Sequence, residues 1–273
     1  MTHIRSLLAL MVAAIALHSG AVAAQSITLA STTSVEASGL LTNILPRFTA
    51  KTGITVHVVA QGTGKALDTA RRGDADLLLV HDPEAERQFI DEGHGVTRRQ
   101  IAWNDFVIVG PSADPAHVRG GSDSVAAFKA IASAGAPFVS RGDNSGTNAA
   151  ELRLWKAAGQ TAPIREKWYR DIGGGMGQAL NAASAMNAYT LTDRGTWLSF
   201  ANKGSLVIAV EGDPRLINRY DVIELDPQKH AGAKLGPAKV FADWLVSADG
   251  QQAIGAYQVN GERLFNPSAD KPR

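Results

Sequence analysis

Apolar and polar positions along this chain keep two different periods in turn. Short β-branched and apolar stretches at 26–30, 55–60, 76–80, 106–109, 138–140, 188–191, 206–210 and 222–225 read as strands. Between them, apolar residues at helical spacing predict helices at 39–51, 65–72, 83–92, 125–133, 148–158, 178–186 and 238–256. Strand and helix alternate from end to end, which predicts an α/β fold with mostly parallel sheets flanked by helices. Asn104-Asp105 ahead of Phe106 marks one strand that crosses between two lobes, and 220–225 marks a second crossing back. Trp155, Trp168, Trp197 and Trp244 sit in apolar settings and read as packing residues. The end of the chain, with Pro267, Asp270, Lys271 and Pro272, reads as a loosely ordered tail.

The first residues change the picture, because they are not part of the alternation. One basic residue, Arg5, precedes the apolar run 7–17, and Ala21-Val22-Ala23-Ala24 offers small residues for cleavage, so 1–24 reads as a secretory signal peptide. That run is too short to span a bilayer, which takes roughly 18 to 20 apolar residues. The expected mature chain begins near Gln25 and works in the periplasm. The sequence contains no cysteine, which excludes disulfides, thiolate metal sites and a Cys nucleophile. Its formal charge is +1, and Arg5 leaves with the signal, so the mature chain has no bulk charge with which to hold nucleic acid or an anionic membrane. Any anion site has to be local.

Such a site is suggested by Ser140-Arg141-Gly142-Asp143-Asn144-Ser145-Gly146-Thr147, which sets a permanent cation, hydroxyls and loose backbone at a predicted helix start. Unpaired N–H groups and the helix dipole favour an anion there, and Arg141 adds a guanidinium. Asp143 orients Arg141 from behind in this reading. Two further loops follow strands in the same way, Ser31-Thr32-Thr33-Ser34 and Gln61-Gly62-Thr63-Gly64. In an open sheet such loops converge at the carboxyl ends of the strands. Gly173-Gly174-Gly175-Met176-Gly177 is a fourth glycine-rich loop that either joins them or only turns the chain.

Plainer readings compete. The 31–34 hydroxyls suit helix capping, and Arg141 with Asp143 suits a surface ion pair. Gly62-Thr63-Gly64-Lys65 lacks the Lys-Ser/Thr pair of a phosphate loop. A hydrolase would need Ser145 as nucleophile with His81, beside Asp82, as base, but no Gly-x-Ser-x-Gly elbow occurs and nothing in the sequence couples the two. No metal-ligand spacing of histidines is present.

Taken together, Ser31-Thr32-Thr33-Ser34, Gly62-Thr63-Gly64, Asp74-Ala75-Asp76 running on to His81, Trp103-Asn104-Asp105-Phe106, the 140–147 run and Tyr189-Thr190-Leu191-Thr192-Asp193-Arg194-Gly195-Thr196-Trp197 resemble the tungstate-binding periplasmic components of bacterial ABC transporters. These are relatives of the phosphate- and molybdate-binding proteins. The resemblance implies a two-lobed type II periplasmic binding protein with a two-strand hinge, lobe I at 25–107 plus 225–273 and lobe II at 108–224. It implies a non-enzymatic chain without cofactor or protein-bound metal, whose partners are tungstate or a related tetrahedral oxyanion and an inner-membrane ABC permease. Thr33, Ser34 and Thr63 would bind from the first lobe, and Arg141, Ser145, Gly146 and Thr147 from the second. Phosphate stays open as the ligand, since its binders set a carboxylate against the ligand's proton and Asp82 or Asp143 could supply one. Tungstate and molybdate are deprotonated dianions near neutral pH, so a site of donors alone suits them.

Overall fold

The computed structural model describes residues 25–161 and 165–269, so the expected signal peptide and the last four residues lie outside the described residues. β1 (Ser26–Thr32) leads through α1 (Thr33–Ala37) and α2 (Leu40–Thr52) to β2 (Thr55–Gln61). Then α3 (Thr63–Arg71) leads to β3 (Leu77–Val80) and α4 (Pro83–Asp91). β1 lies between β2 and β3 and is parallel to both, with helices as the crossover connections that parallel neighbours need. Next comes β4 (Gly95–Pro111), a strand of 17 residues that serves two sheets. From Gly95 to Asp105 it runs antiparallel to β9 (Ile217–Leu225), which is itself antiparallel to β3. From Phe106 to Pro111 it runs antiparallel to β7 (Thr190–Asp193) and β8 (Leu206–Val210).

The second lobe also holds α5 (Ser124–Ala134), β5 (Phe138–Ser140), α6 (Gly146–Ala157), β6 (Tyr169–Asp171), α7 (Met176–Met186) and α8 (Arg194–Ser199). β5 is parallel to β6 and bridges to Tyr189. After β9 the chain returns to the first lobe with α9 (Leu235–Val246) and α10 (Ala248–Ala256). A small hairpin of β10 (Gln258–Val259) and β11 (Glu262–Arg263) follows, and then β12 (Asn266–Pro267).

Both sheets are covered on both faces. Along β3, Leu77 and Leu79 join Ile27, Phe48 and Phe241 on one side, while Leu78 and Val80 join Ala66, Leu67 and Phe89 on the other. Along β4, Phe106 and Ile108 pack with Phe138 and Trp155, while Val107 and Val109 pack with Val139 and Leu180. Two-sided burial explains the unbroken apolar runs at 77–80 and 106–109. Each such Leu or Phe contributes about 1.5–3 kcal/mol by leaving water. These paired cores hold the strand ends, and hence the loops of the site, rigid.

Four expectations need correction. The sheets are mixed: the parallel part is β2-β1-β3, and the crossing strands are antiparallel to their neighbours. β9, expected to close the second lobe, hydrogen-bonds within the first sheet along its whole length. The helix expected at 238–256 breaks at Ser247, whose hydroxyl caps Gly250 N–H at 3.2 Å. The expected loose tail is tied down as far as Ser268. Phe265 is fully buried, β12 pairs with Ala102 and Trp103, and Ser268 accepts from Gln100 at 2.6 Å.

Candidate functional site

The second-lobe wall is built on the end of β5. Gly142 and Asn144 both take positive φ, 59° and 56°, and so double the chain back before α6. Glycine suits 142, because its φ is left-handed and a Cβ there would run into the Asp171 carboxyl. Ser145 then caps α6, its Oγ accepting from Asn148 N at 3.2 Å. This turn folds Arg141 inward until it is 3% exposed. Its Nη2 donates to Asp143 Oδ2 at 2.5 Å, its Nε to the same oxygen at 3.2 Å, and its Nη1 to Thr147 Oγ1 at 3.4 Å. Asp143 Oδ1 accepts from Ser145 N at 3.2 Å, so both carboxylate oxygens are engaged within the loop. A buried guanidinium with one carboxylate keeps N–H donors in reserve for an anion.

Behind the loop, Glu151 ties the scaffold together. It accepts from Ser140 Oγ at 2.7 Å, Tyr169 OH at 2.8 Å and Trp155 Nε1 at 3.0 Å. Burial pushes its pKa up to about 7 against the pull of these donors. Asp193 caps α8 through Thr196 N and Oγ1 at 2.8 and 2.7 Å, and burial raises its pKa while nearby Arg141 lowers it.

The first-lobe wall carries hydroxyls instead of charge. Thr32 caps α1, its Oγ1 accepting from Val35 N at 3.3 Å and lying 3.0 Å from Ser34 Oγ. Ser34 Oγ is also 2.8 Å from His81 Nε2, at the end of β3. Thr33 is exposed beside it. Thr63 opens α3, buried, with no partner for its Oγ1. His81 Nδ1 is buried without a partner too, and burial lowers the ring's pKa to about 4. The lobes touch at Gly146, where a Cβ would come within 2.7 Å of His81 Cε1 and 3.2 Å of Thr63 Oγ1. Arg153 of α6 reaches Asp82 of the first lobe at 3.3 Å, a second tie across the cleft.

Between the walls lies a cavity of about 630 Å³. Of the expected residues, Thr33, Ser34, Arg141 and Asp143 line it. Thr63, Ser145, Gly146 and Thr147 are packed behind that surface. Lys65 and Thr196 line the cavity too, although the sequence reading assigned neither to the site, and the His81 to Ser34 contact was not foreseen. Thr196 follows a strand end, a signal that could have found it. The contact joins residues 47 apart and has no sequence signal. The glycine-rich loop does join the site, through Gly175 and Gly177. The hydrolase pairing is not made: Ser145 Oγ serves Asn148, and His81 meets Ser34. Among the described residues no group of three or more His, Asp or Glu is placed to hold a metal ion, and no helix is long and apolar enough to cross a membrane.

Two lobes with an anion-suited cleft narrow the kinship, and residues 19–249 match the profile of the PBP superfamily domain. The chain belongs to the PBP superfamily. Within that superfamily it falls in the family of the tungstate-binding proteins TupA. It is 44% identical over 250 residues to the TupA of Peptoclostridium acidaminophilum, covering 90% of this chain and 87% of that one. Among solved PBP structures, TupA from Desulfovibrio alaskensis G20 superposes with a TM-score of 0.81 at 43% identity, covering 90% of this chain and all of that one. The tungstate ABC transporter structure from Geobacter sulfurreducens gives 0.77 at 40% identity, covering 85% and 98%.

Proposed function

We propose that this PBP chain is the periplasmic, non-catalytic capture component of an ABC importer, that it takes tungstate into the cleft between its lobes, and that it hands the anion to an inner-membrane permease. The tungstate names of its relatives support the ligand. The observation that carries the site is Arg141, a 97% buried guanidinium on the wall of a cavity whose opposite wall is hydroxyl-bearing. In this reading Thr33, Ser34 and Arg141 meet the anion from the cavity wall, Thr63, Ser145, Gly146 and Thr147 from just behind that wall complete the ligand shell as the lobes adjust around it, and Asp143 orients Arg141. Lobe I is 25–105 with 217–269 and lobe II is 106–216, following the change of sheet partners.

The chemistry follows from protonation. Tungstate has four oxygens and no proton, so every contact has to donate. Each hydrogen bond to a charged group contributes about 1.5–3 kcal/mol, and several are needed to offset the desolvation of a dianion. Closing the lobes removes water and strengthens each of them. Phosphate is the second reading, favoured by the Asp143 carboxylate on the cavity wall. Against it, the Asp143 carboxylate already accepts three hydrogen bonds from Arg141 and Ser145 within the loop, which leaves it little capacity for a ligand's proton. The test is calorimetric titration of the mature protein with tungstate, molybdate, sulfate and phosphate in phosphate-free buffer. Tight tungstate binding with weak phosphate binding is expected, and phosphate binding tightest would overturn the tungstate reading.

A further inference from the structure

A second cavity, of about 380 Å³, lies between the lobes and shares no lining residue with the first. α4 of the first lobe, α6 of the second and the start of β9 contribute its walls. The two cavities are neighbours: the His81 ring lines the second, while its Nε2 meets Ser34, on the wall of the first, at 2.8 Å. Small-molecule sites have volumes of roughly 300–1,000 Å³, pair an apolar lining with a few charged groups and gather at junctions of this kind.

The lining fits that description. Phe106, Ala150 and Leu154, all buried, give the cavity an apolar floor, and Ile217, a large apolar side chain left exposed, borders it. Four guanidinium groups line it as well, those of Arg87, Arg153, Arg215 and Arg219, against one carboxylate, Glu84. Two of the four are engaged. Arg153 reaches Asp82 at 3.3 Å, and Arg215 is held by Asp123 and Asp213, each at 2.7 Å. Arg87 and Arg219 are exposed and form no ion pair among the described residues. Set against Glu84, these two leave a surplus of one positive charge. Guanidinium groups gathered around one concavity repel each other, and an anion seated among them relieves that repulsion. An arginine that serves only to keep a surface wet needs neither a cavity nor an apolar floor.

We infer that this second cavity is a binding site for a small organic carboxylate, with its apolar body laid on Phe106, Leu154 and Ile217 and its charge held by Arg87 and Arg219. One carboxylate matches a surplus of one charge, and the forked guanidinium suits its two oxygens. A bare inorganic oxyanion has nothing to lay on the apolar floor, so the two cavities select different chemistry.

The probe is benzoate, titrated calorimetrically into the mature protein, with benzamide as its uncharged counterpart. Benzoate is expected to bind one to one, and benzamide about tenfold more weakly or worse. Two variants change exposed residues of this cavity and so should keep the fold: Arg87→Ala/Arg219→Ala, and Ala157→Glu, which adds a carboxylate to the wall. Each should weaken benzoate about tenfold and leave tungstate binding unchanged. Arg141→Ala, which strips the first cavity of its cation, should leave benzoate binding unchanged. No binding of benzoate, equal binding of benzamide, or an unchanged benzoate affinity in either cavity variant would overturn the inference and leave the tungstate reading intact. Loss of benzoate binding in Arg141→Ala would assign the probe to the first cavity and overturn it as well. Benzoate binding that follows these expectations in a protein that takes up no tungstate would instead overturn the tungstate reading and leave the second site standing.

Discussion

Glu151 and His81 are titratable side chains buried behind the anion loops of the two lobes, and the two are treated differently. Glu151, in the second lobe, is surrounded by donors from Ser140, Trp155 and Tyr169. His81, in the first, has one nitrogen on Ser34 and the other on nothing. Burial works against the charged form of both. A fully bonded buried group holds a loop in place and has no valence left for a ligand. A group with an open valence beside a cavity costs stability, of the order of 1–3 kcal/mol for an unmet hydrogen bond, and such a cost is most often met where function needs it. The comparison separates scaffold from machinery within one site.

Four changes test that separation. The largest effect is expected from Arg141→Ala, which strips the charged wall of its cation. Tungstate affinity should fall by about 2–5 kcal/mol, a loss calorimetry reads directly, and an unchanged Kd in a folded variant would remove Arg141 from the site. Glu151→Leu leaves the Ser140, Trp155 and Tyr169 donors stranded and should lower unfolding free energy in urea by about 3 kcal/mol. The molecules that remain folded should bind nearly as well as wild type, and a selective loss of affinity would make Glu151 machinery after all. Gly146→Ala pushes a methyl against His81 and Thr63. Overpacking of this kind costs about 1–3 kcal/mol, expected here as weaker binding because the lobes meet at that point.

The smallest effect is on pH dependence, and the two groups should tilt it in opposite directions. The folded pKa of His81 is lowered from 6.5 to about 4, so its contribution is complete above 6.5 and is lost as the pH falls toward 4. The folded pKa of Glu151 is raised from 4.5 to about 7, so its contribution is complete below 4.5 and is lost as the pH rises toward 7. Relative to His81→Gln, wild type should lose about 1 kcal/mol on going from neutral pH to about pH 5.5. Relative to Glu151→Gln it should lose a similar amount between about pH 4.5 and about pH 5.5. Denaturant titrations across that range check both slopes, and parallel curves would contradict the burial that sets them.

Much of this molecule could be read from residue order. The runs 77–80, 138–140 and 206–210 lie between turn residues and are apolar enough to be recognised as strands, and β5 and β8 begin and end where expected. The first part of β4 was not legible because Thr97, Arg98, Arg99 and Gln100 carry no apolar alternation. Arg98 and Arg99 are held instead by Asp221, Glu224 and Asp243 from distant segments. The break at Ser247 was hidden because apolar spacing continues from Leu245 to Ile254 on both sides of it. In the site, Arg141 and Ser34 stood out because their loops follow strands and carry hydroxyls or charge. Glu151 looked like any polar helix residue, and His81 like a strand end, since the partners of both are brought by the fold.

The pairing of β9 with β3 also sets an order of events for the newly made chain. Leu77 waits for Glu224 and Val80 for Asp221, so the central ladder of the first sheet cannot close until the entire second lobe has been synthesised. Until then β3 has an open edge of four buried apolar residues. Contacts so distant in sequence form slowly, and an exposed apolar edge invites association with other chains. An early-terminated product ending in the second lobe would therefore be a sticky fragment, and swift docking of 217–225 is what brings biogenesis to a safe close.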